Sequence, residues 1–293
     1  MNHTPSILNN EIDASLLPRR PEDSHKGTFG KVLVVAGSRD MAGAAYFAAK
    51  AVYRMGAGLC RILTVRENLP VLATLLPEAL LCGYDGDSPD PDTVASAEEW
   101  ADVLVVGCGL GTSAAARRLL SALLRGTKKP LVLDADALNL LAKNPSLLGY
   151  TRGAILTPHT VEMARLLGCS PEEVESDRAG AATALARRTG ALAVLKGHRT
   201  LITDGGEMIY QNRTGNSGMA TAGSGDVLAG MIGGLLASGR AEHQPPLTWA
   251  RLGVALHGLC GEEAARTLTE YSVMASDLID ALPRVLRSII NEE

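Results

Sequence analysis

Short continuous apolar runs alternate along this chain with longer stretches in which apolar residues recur at helical spacing. The first run, Lys31–Ala36 (KVLVVA), has no polar face, as expected of a strand buried on both sides, and Gly37 and Ser38 end it. A helix is predicted over Met41–Met55, with Met41, Ala44, Ala45, Ala48, Val52 and Met55 on one side. Gly56 and Gly58 stop it, and a second strand follows near Leu59–Val65. Further strands are predicted at Ala79–Cys82, Val103–Val106, Leu131–Leu133, Ala154–Leu156 and Ala193–Leu195. Helices are predicted at Ser113–Leu124, Ala137–Ala142, Thr160–Leu167 and Pro171–Thr189. Such alternation means βαβ units, so the expected class is α/β, a central mainly parallel sheet with helices on both faces.

Past Lys196 the pattern shortens to two strands, Thr200–Thr203 and Glu207–Tyr210, predicted to form a hairpin turning at Asp204-Gly205-Gly206. Helices over about Leu247–Thr267 and Ala275–Ile289 close the chain. The polar start, with Pro5, Pro18 and Pro21, reads as an arm carrying one short helix around Asn10–Leu17. The acidic stretch Gly83–Glu99, with Asp85, Asp87, Asp90, Asp92, Glu98 and Glu99, reads as a solvated connection. No repeat or Pro/Ser-rich linker divides the rest, so residues 1–25 are expected to be an arm and 26–293 a single domain.

Between the hairpin and the closing helices lies Gly215–Gly239, GNSGMATAGSGDVLAGMIGGLLASG. Its first half is a glycine loop; from Ser224 on, Val227, Leu228, Met231, Ile232, Leu235 and Leu236 take helical spacing. A glycine loop opening a helix offers unpaired N–H groups and a positive dipole end, which suits a phosphate. Asp226, in the first turn, would repel that phosphate but is well placed to take a proton from a group about to meet it. The competing reading has Asp226 complementing the helix dipole and the glycines forming a flexible turn.

Composition narrows the partners. With 46% hydrophobic and 20% charged residues the chain can bury a sizeable core. Aromatics at 3% leave no stacking platform for single strands, and a net charge of −4 leaves no footprint for a polyanion, so long nucleic acid is excluded and a single nucleotide is not. Cys60, Cys82, Cys108, Cys169 and Cys260 are odd in number and lack CxxC spacing, as expected of reduced thiols. No signal peptide or membrane-length apolar run is visible, so a cytoplasmic location is expected.

In open α/β sheets ligands bind at the carboxyl ends of the strands, and several polar or glycine-rich turns fall there. They are Gly37-Ser38, Gly107-Cys108-Gly109-Leu110-Gly111, Asp134-Ala135-Asp136 with Asn139, Thr157-Pro158-His159 and Lys196-Gly197. The GCGLG run is either a place of close substrate approach or a tight strand–helix turn. Asp134 and Asp136 either hold Mg²⁺ through water or, for Asp136, cap the following helix. His159 is a cap or a ligand-facing donor. Lys196, costly to bury unpaired, invites a phosphate. His257, amid an apolar helix, reads as a core histidine; His25 and Lys26 precede the first strand and are weak candidates for the same rim.

The sequence GSGD at Gly223–Asp226 resembles the anion-hole motif of the ribokinase-like fold, in which the aspartate is the catalytic base. Gly37–Leu59, Val105–Gly111, Pro130–Ala142, Ile155–Gly168, Leu195–Ile202, Gly215–Gly239 and Ser276–Pro283 together are similar to the ADP/ATP-dependent NAD(P)H-hydrate dehydratases. Matches run in order over about residues 26 to 284. Cys108 and Ser217 stand where that family usually has proline, and Thr160-Val161 replace a usual Pro-Gly.

The resemblance implies repair of hydrated NADH or NADPH by phosphorylation and phosphate elimination, with ADP (or ATP) as phosphoryl donor and Mg²⁺. It implies Asp226 as base, Gly223, Ser224 and Gly225 as anion hole, and Lys196, Gly197, His198, Arg199, Thr200 and Gly225 as nucleotide site. It places Ala44, Gly109, His159 and Asp226 at the hydrate. It further implies a homotetramer, and the short arm leads to the expectation that any epimerase is a separate chain. The rival within the fold is a vitamin-precursor type kinase; a nucleotide sensor without catalysis is the rival outside enzymes.

Overall fold

The structure, a computed structural model, describes residues 6–11, 13–86 and 89–291. Pro5 of the arm and Asp87 of the acidic stretch lie outside them. Ten strands form one sheet: β1 (Ser6–Asn9), β2 (Lys31–Val35), β3 (Leu59–Val65), β4 (Leu80–Tyr84), β5 (Val103–Val106), β6 (Leu131–Leu133), β7 (Ile155–Leu156), β8 (Leu192–Leu195), β9 (Leu201–Thr203) and β10 (Met208–Gln211). Their order is β1-β10-β9-β8-β7-β6-β5-β2-β3-β4. From β8 through β4 every pairing is parallel; β9 runs antiparallel to both β8 and β10, as the predicted hairpin requires.

Helices α1 (Ala42–Arg54), α2 (Leu69–Leu75), α9 (Ser224–Ser238), α10 (Pro246–Leu268) and α11 (Ala275–Asn291) cover one face, where they meet Val32, Val34, Val105 and Val132. Helices α3 (Pro91–Trp100), α4 (Ala114–Gly126), α5 (Asp136–Lys143), α6 (Thr160–Leu167), α7 (Pro171–Ser176) and α8 (Arg178–Thr189) cover the other, over Leu33, Val35, Leu104 and Leu133. Alternate residues of one strand thus feed opposite cores, which is why the strands read as unbroken apolar runs.

Three expectations need correcting. The acidic connection contains α3, started by Asp90, whose side chain accepts from the Thr93 N–H (3.0 Å), with Pro91 in the first turn. The stretch Pro171–Thr189 is two helices, because Asp177 leaves helical geometry (φ −143°) and caps α8 through the Gly180 N–H (2.8 Å). The arm's short helix shrinks to a 3-10 turn at Ala14–Leu16. Ahead of it, Ser6–Asn9 adds a parallel edge strand to β10, and Asn10 anchors the crossing by donating to the Arg251 carbonyl (2.9 Å). Helix α2 was not foreseen either; its short apolar segment lacks a capping side chain. Among the described residues no helix is long and apolar enough to cross a membrane.

Candidate active site at the carboxyl ends of the strands

Parallel order carries the ends of β2, β5, β6, β7 and β8 to one rim, and the start of α9 reaches the same place. Backbone bonds tie the turns together: Gly37 N–H donates to the Cys108 carbonyl (2.9 Å), Ser38 N–H to Gly109 (2.6 Å) and Lys196 N–H to Pro158 (2.8 Å). Gly107 cannot carry a side chain, since a Cβ there would stand 1.9 Å from the Asp134 carbonyl oxygen. At the head of α9, Gly223 takes φ +90°, a left-handed turn that leaves the following amides at the helix start.

Lys196 and Asp134 form the charged centre. The Lys196 Nζ donates to Asp134 Oδ1 (2.5 Å), and that oxygen also accepts from Thr157 Oγ1 (2.7 Å). Burial pushes the Lys196 ammonium down, but Asp134 and then Glu162 outweigh it and the net shift is upward. Lys196 is therefore paired, and its burial does not by itself call for a phosphate. Nor does Asp136 cap its own helix: Ala135 holds the cap position, in a strained left-handed conformation (φ 49°). Instead Asp136 Oδ2 accepts from the Gly111 N–H (2.8 Å) and Oδ1 from Asn139 (3.2 Å), fastening the GCGLG turn to α5.

Asp226 sits beside this pair. Burial, and then the Asp134 charge, push its carboxyl up to about 7, with the Cys108 thiol and Lys196 pulling the other way. A carboxylate balanced near neutrality is suited to general base work. Two residues back, Ser224 Oγ lies 3.3 Å from His257 Nε2. Burial holds His257 down to about 4, so the imidazole is neutral and serves as the satisfied core histidine its apolar helix suggested.

His159 is a cap. Its Nδ1 accepts from the N–H groups of Val161 (3.1 Å) and Glu162 (3.4 Å), and Glu162 Oε2 accepts from the His159 N–H (2.9 Å), a complete capping box. Its Nε2 faces Glu162 Oε1 (3.4 Å), and burial followed by the Lys196 charge lowers its pKa, leaving a neutral ring about half exposed on the rim. Glu162 escaped the sequence reading: it is buried and pushed up to about 7 by desolvation. Its position three residues after His159, the N3 site of a capping box, was the signal.

Ala44 and Gly109 are brought together, for a Cβ on Gly109 would stand 2.8 Å from the Ala44 Cβ. Gly197, His198 and Arg199 line a cavity of about 590 Å³ with Thr160, Asp177 and Arg178, a size that accommodates a small-molecule ligand. Thr200 closes the turn by donating to the Gly197 carbonyl (3.1 Å). Arg178, also missed, donates to the Lys196 carbonyl (3.1 Å) from the head of α8. His25 and Lys26 do not reach the rim: His25 caps a 3-10 turn ahead of β2, at the amino ends of the strands.

Among the described residues one group, Cys108, Asp134 and Asp226, brings possible ligand atoms within 4.8 Å of one another. It does not fit Mg²⁺, a hard cation that takes oxygen donors, because one member is a thiol and another is already held by an ammonium.

With this geometry in view, the family model described as NAD(P)H-hydrate dehydratase matches residues 32–284. The chain is 42% identical, over 95% of its own length, to a bifunctional NAD(P)H-hydrate repair enzyme of Moorella thermoacetica, but spans only 53% of that relative. It is 43% identical to an ADP-dependent (S)-NAD(P)H-hydrate dehydratase of Neisseria meningitidis, covering 89% of this chain and 84% of the relative. Among solved structures, the ADP/ATP-dependent NAD(P)H-hydrate dehydratase of Bacillus subtilis, co-crystallized with ATP and Mg²⁺, superposes with a TM-score of 0.80. There the identity is 32%, and 94% of this chain and 95% of that one are covered. The sheet and its helices are those of the ribokinase-like fold.

Proposed function

The chain belongs to the NAD(P)H-hydrate dehydratase family, and from that premise we propose that it restores (S)-NADH hydrate and (S)-NADPH hydrate to NADH and NADPH at the expense of ADP. The observation that carries the reading is the Asp226 carboxyl, balanced at about 7 at the head of a glycine-initiated helix and beside a buried lysine–carboxylate pair. Asp226 takes the proton of the hydrate's hydroxyl. The freed oxygen forms a bond to the terminal phosphorus of ADP as the bond to AMP breaks. The amides of Gly223, Ser224 and Gly225 stabilise the charge spread over the transferring phosphoryl oxygens. The phosphate ester then leaves as inorganic phosphate while the neighbouring ring carbon loses a proton, so the ring double bond is re-formed.

Lys196, Gly197, His198, Arg199, Thr200 and Gly225 hold the nucleotide, and Ala44, Gly109 and His159 border the hydrate. Mg²⁺ would enter with the nucleotide's phosphates and shield their charge, the Cys108–Asp134–Asp226 cluster being unsuited to it. Residues 26–293 act as one catalytic unit in the cytoplasm, assembled as four copies.

The test is incubation with ADP, Mg²⁺ and NADH hydrate while dihydropyridine absorbance is followed. Recovered absorbance with one phosphate released per NADH supports the reading. No recovery with ADP or ATP overturns it, and a phosphorylated product that accumulates assigns the chain to the small-molecule kinases of the same fold.

A further inference from the structure

The rim also carries a thiol, that of Cys108. Its side chain is fully buried, at 0% exposure, in the turn that follows β5. Its sulfur and one carboxylate oxygen each of Asp134 and Asp226 lie within 4.8 Å of one another. A thiol is a weak donor and a weak acceptor, and two carboxylates are acceptors, so it can serve this cluster only by donating. Asp134 Oδ1 already accepts from Lys196 and Thr157. Asp226, which has a carboxylate oxygen within 4.8 Å of the sulfur and no ammonium paired to it, is the acceptor that gains most from the thiol.

We infer that Cys108 is a positioning residue for the proposed base: its S–H donates to the Asp226 carboxylate and fixes one oxygen, leaving the other for the substrate hydroxyl. The inference rests on the reading of Asp226 as base.

The backbone makes this placement rigid. The Cys108 carbonyl accepts from Gly37 (2.9 Å), Gly107 N–H donates to Val35 (3.0 Å), and the Gly111 N–H is held by Asp136 (2.8 Å). The turn is fastened to β2 and α5 at once, which fixes the Cys108 backbone, and full burial leaves its side chain little room. Burial and the two carboxylates push the thiol well above its ordinary range, so it stays protonated and keeps its donor.

The other groups acting on Asp226 are Asp134 at the end of β6, Lys196 at the end of β8 and Asp136 at the head of α5. From α10, His257 is neutral and engaged with Ser224. From α1 and α11, Lys50 and Asp280 are paired with each other (3.5 Å). Of all these, Cys108 is the neutral donor, so removing it changes the carboxylate's hydrogen bonding without changing the charge of the site.

The experiment compares pH profiles of NADH recovery, at saturating ADP and Mg²⁺, for the wild type, Cys108→Ala, Cys108→Ser and Asp226→Asn. A hydrogen bond to a carboxylate favours its ionised form, so its loss in Cys108→Ala moves the acid limb up by about half a pH unit and lowers turnover roughly threefold on that limb. The alkaline plateau and the KM for ADP stay near wild type. Cys108→Ser, which keeps a donor, returns the limb to the wild-type position or below it. A limb unmoved in Cys108→Ala, or moved equally in both variants, overturns the inference.

Asp226→Asn separates the two readings. If it turns over, the base assignment fails; if it is inactive while the Cys108→Ala limb stays put, only the role of Cys108 fails. Should Cys108→Ala not fold, the infrared S–H band of the wild type compared with Asp226→Asn gives the answer. The band shifts if the bond exists, and an unshifted band rejects it.

Discussion

The two faces of the sheet are packed by different means. On one face lie α3 to α8, where leucines of α4 and α5 (Leu119, Leu120, Leu123, Leu140) fill the space between helix and sheet. On the other face α1 and α9 meet through alanine and glycine, and a Cβ on Gly230 would stand 2.2 Å from the Ala48 carbonyl oxygen. Leucine holds helix axes apart; alanine and glycine let the backbones approach. The closer packing is on the face that carries Asp226, where the head of α9 must sit low enough to meet the ends of β5, β6 and β8. The leucine face supplies fixed turns, through Asp136 and the His159–Glu162 cap.

Four changes test that contrast, from the largest effect on stability to the smallest. Leu120→Ala empties fully buried volume on the leucine face and should cost about 2–5 kcal/mol by denaturant unfolding, with turnover per folded molecule preserved. Gly230→Ala overpacks the close face and should cost about 1–3 kcal/mol while also lowering turnover, because it lifts α9 from the rim. Equal losses of turnover in the two variants would erase the distinction.

Next in size is the effect of pH. The Asp226 pKa in the folded state, about 7, lies above its unfolded value. The stability it contributes is full below the unfolded pKa and is lost as pH rises through about 7. Glu162 has the same sign, so the readout is the difference between proteins: the Tm of Asp226→Asn minus that of wild type should grow from acid pH to above 7. A flat difference would mean that Asp226 is not held up by burial.

Gly225→Ala should move stability by no more than about 1 kcal/mol, alanine being the better helix former. Its Cβ would stand 3.2 Å from Lys196 Nζ, so kcat/KM should fall with the fold intact. Unchanged kinetics would remove Gly225 from the proposed nucleotide and anion site.

Much of this was legible because both signals are local. Apolar runs bounded by glycine, or by proline and aspartate, marked β3, β5 and β6 to the residue, and the GSGD loop before a helical repeat marked the head of α9. What escaped depended on partners distant in sequence. Asp134 and Lys196 are 62 residues apart, so the lysine looked unpaired until the strands were laid side by side. The Cys108 thiol acquires neighbours only where β5, β6 and α9 converge. Strand β1 is short and fully exposed, so no periodicity announces it, and only its pairing with β10 defines it. Helix α3 and the break at Asp177 were readable in principle, from Asp-Pro and from an aspartate three residues before Gly180, but the surrounding acidic or helical pattern masked both.

We propose that the close packing of this face presents Asp226 as a base. The most direct test is Asp226→Asn, assayed for nucleotide binding by calorimetry and for NADH recovery from the hydrate in the presence of ADP and Mg²⁺. ADP affinity near that of the wild type and no recovery of NADH at any pH are expected. Recovery at a rate near the wild-type one would contradict the proposal.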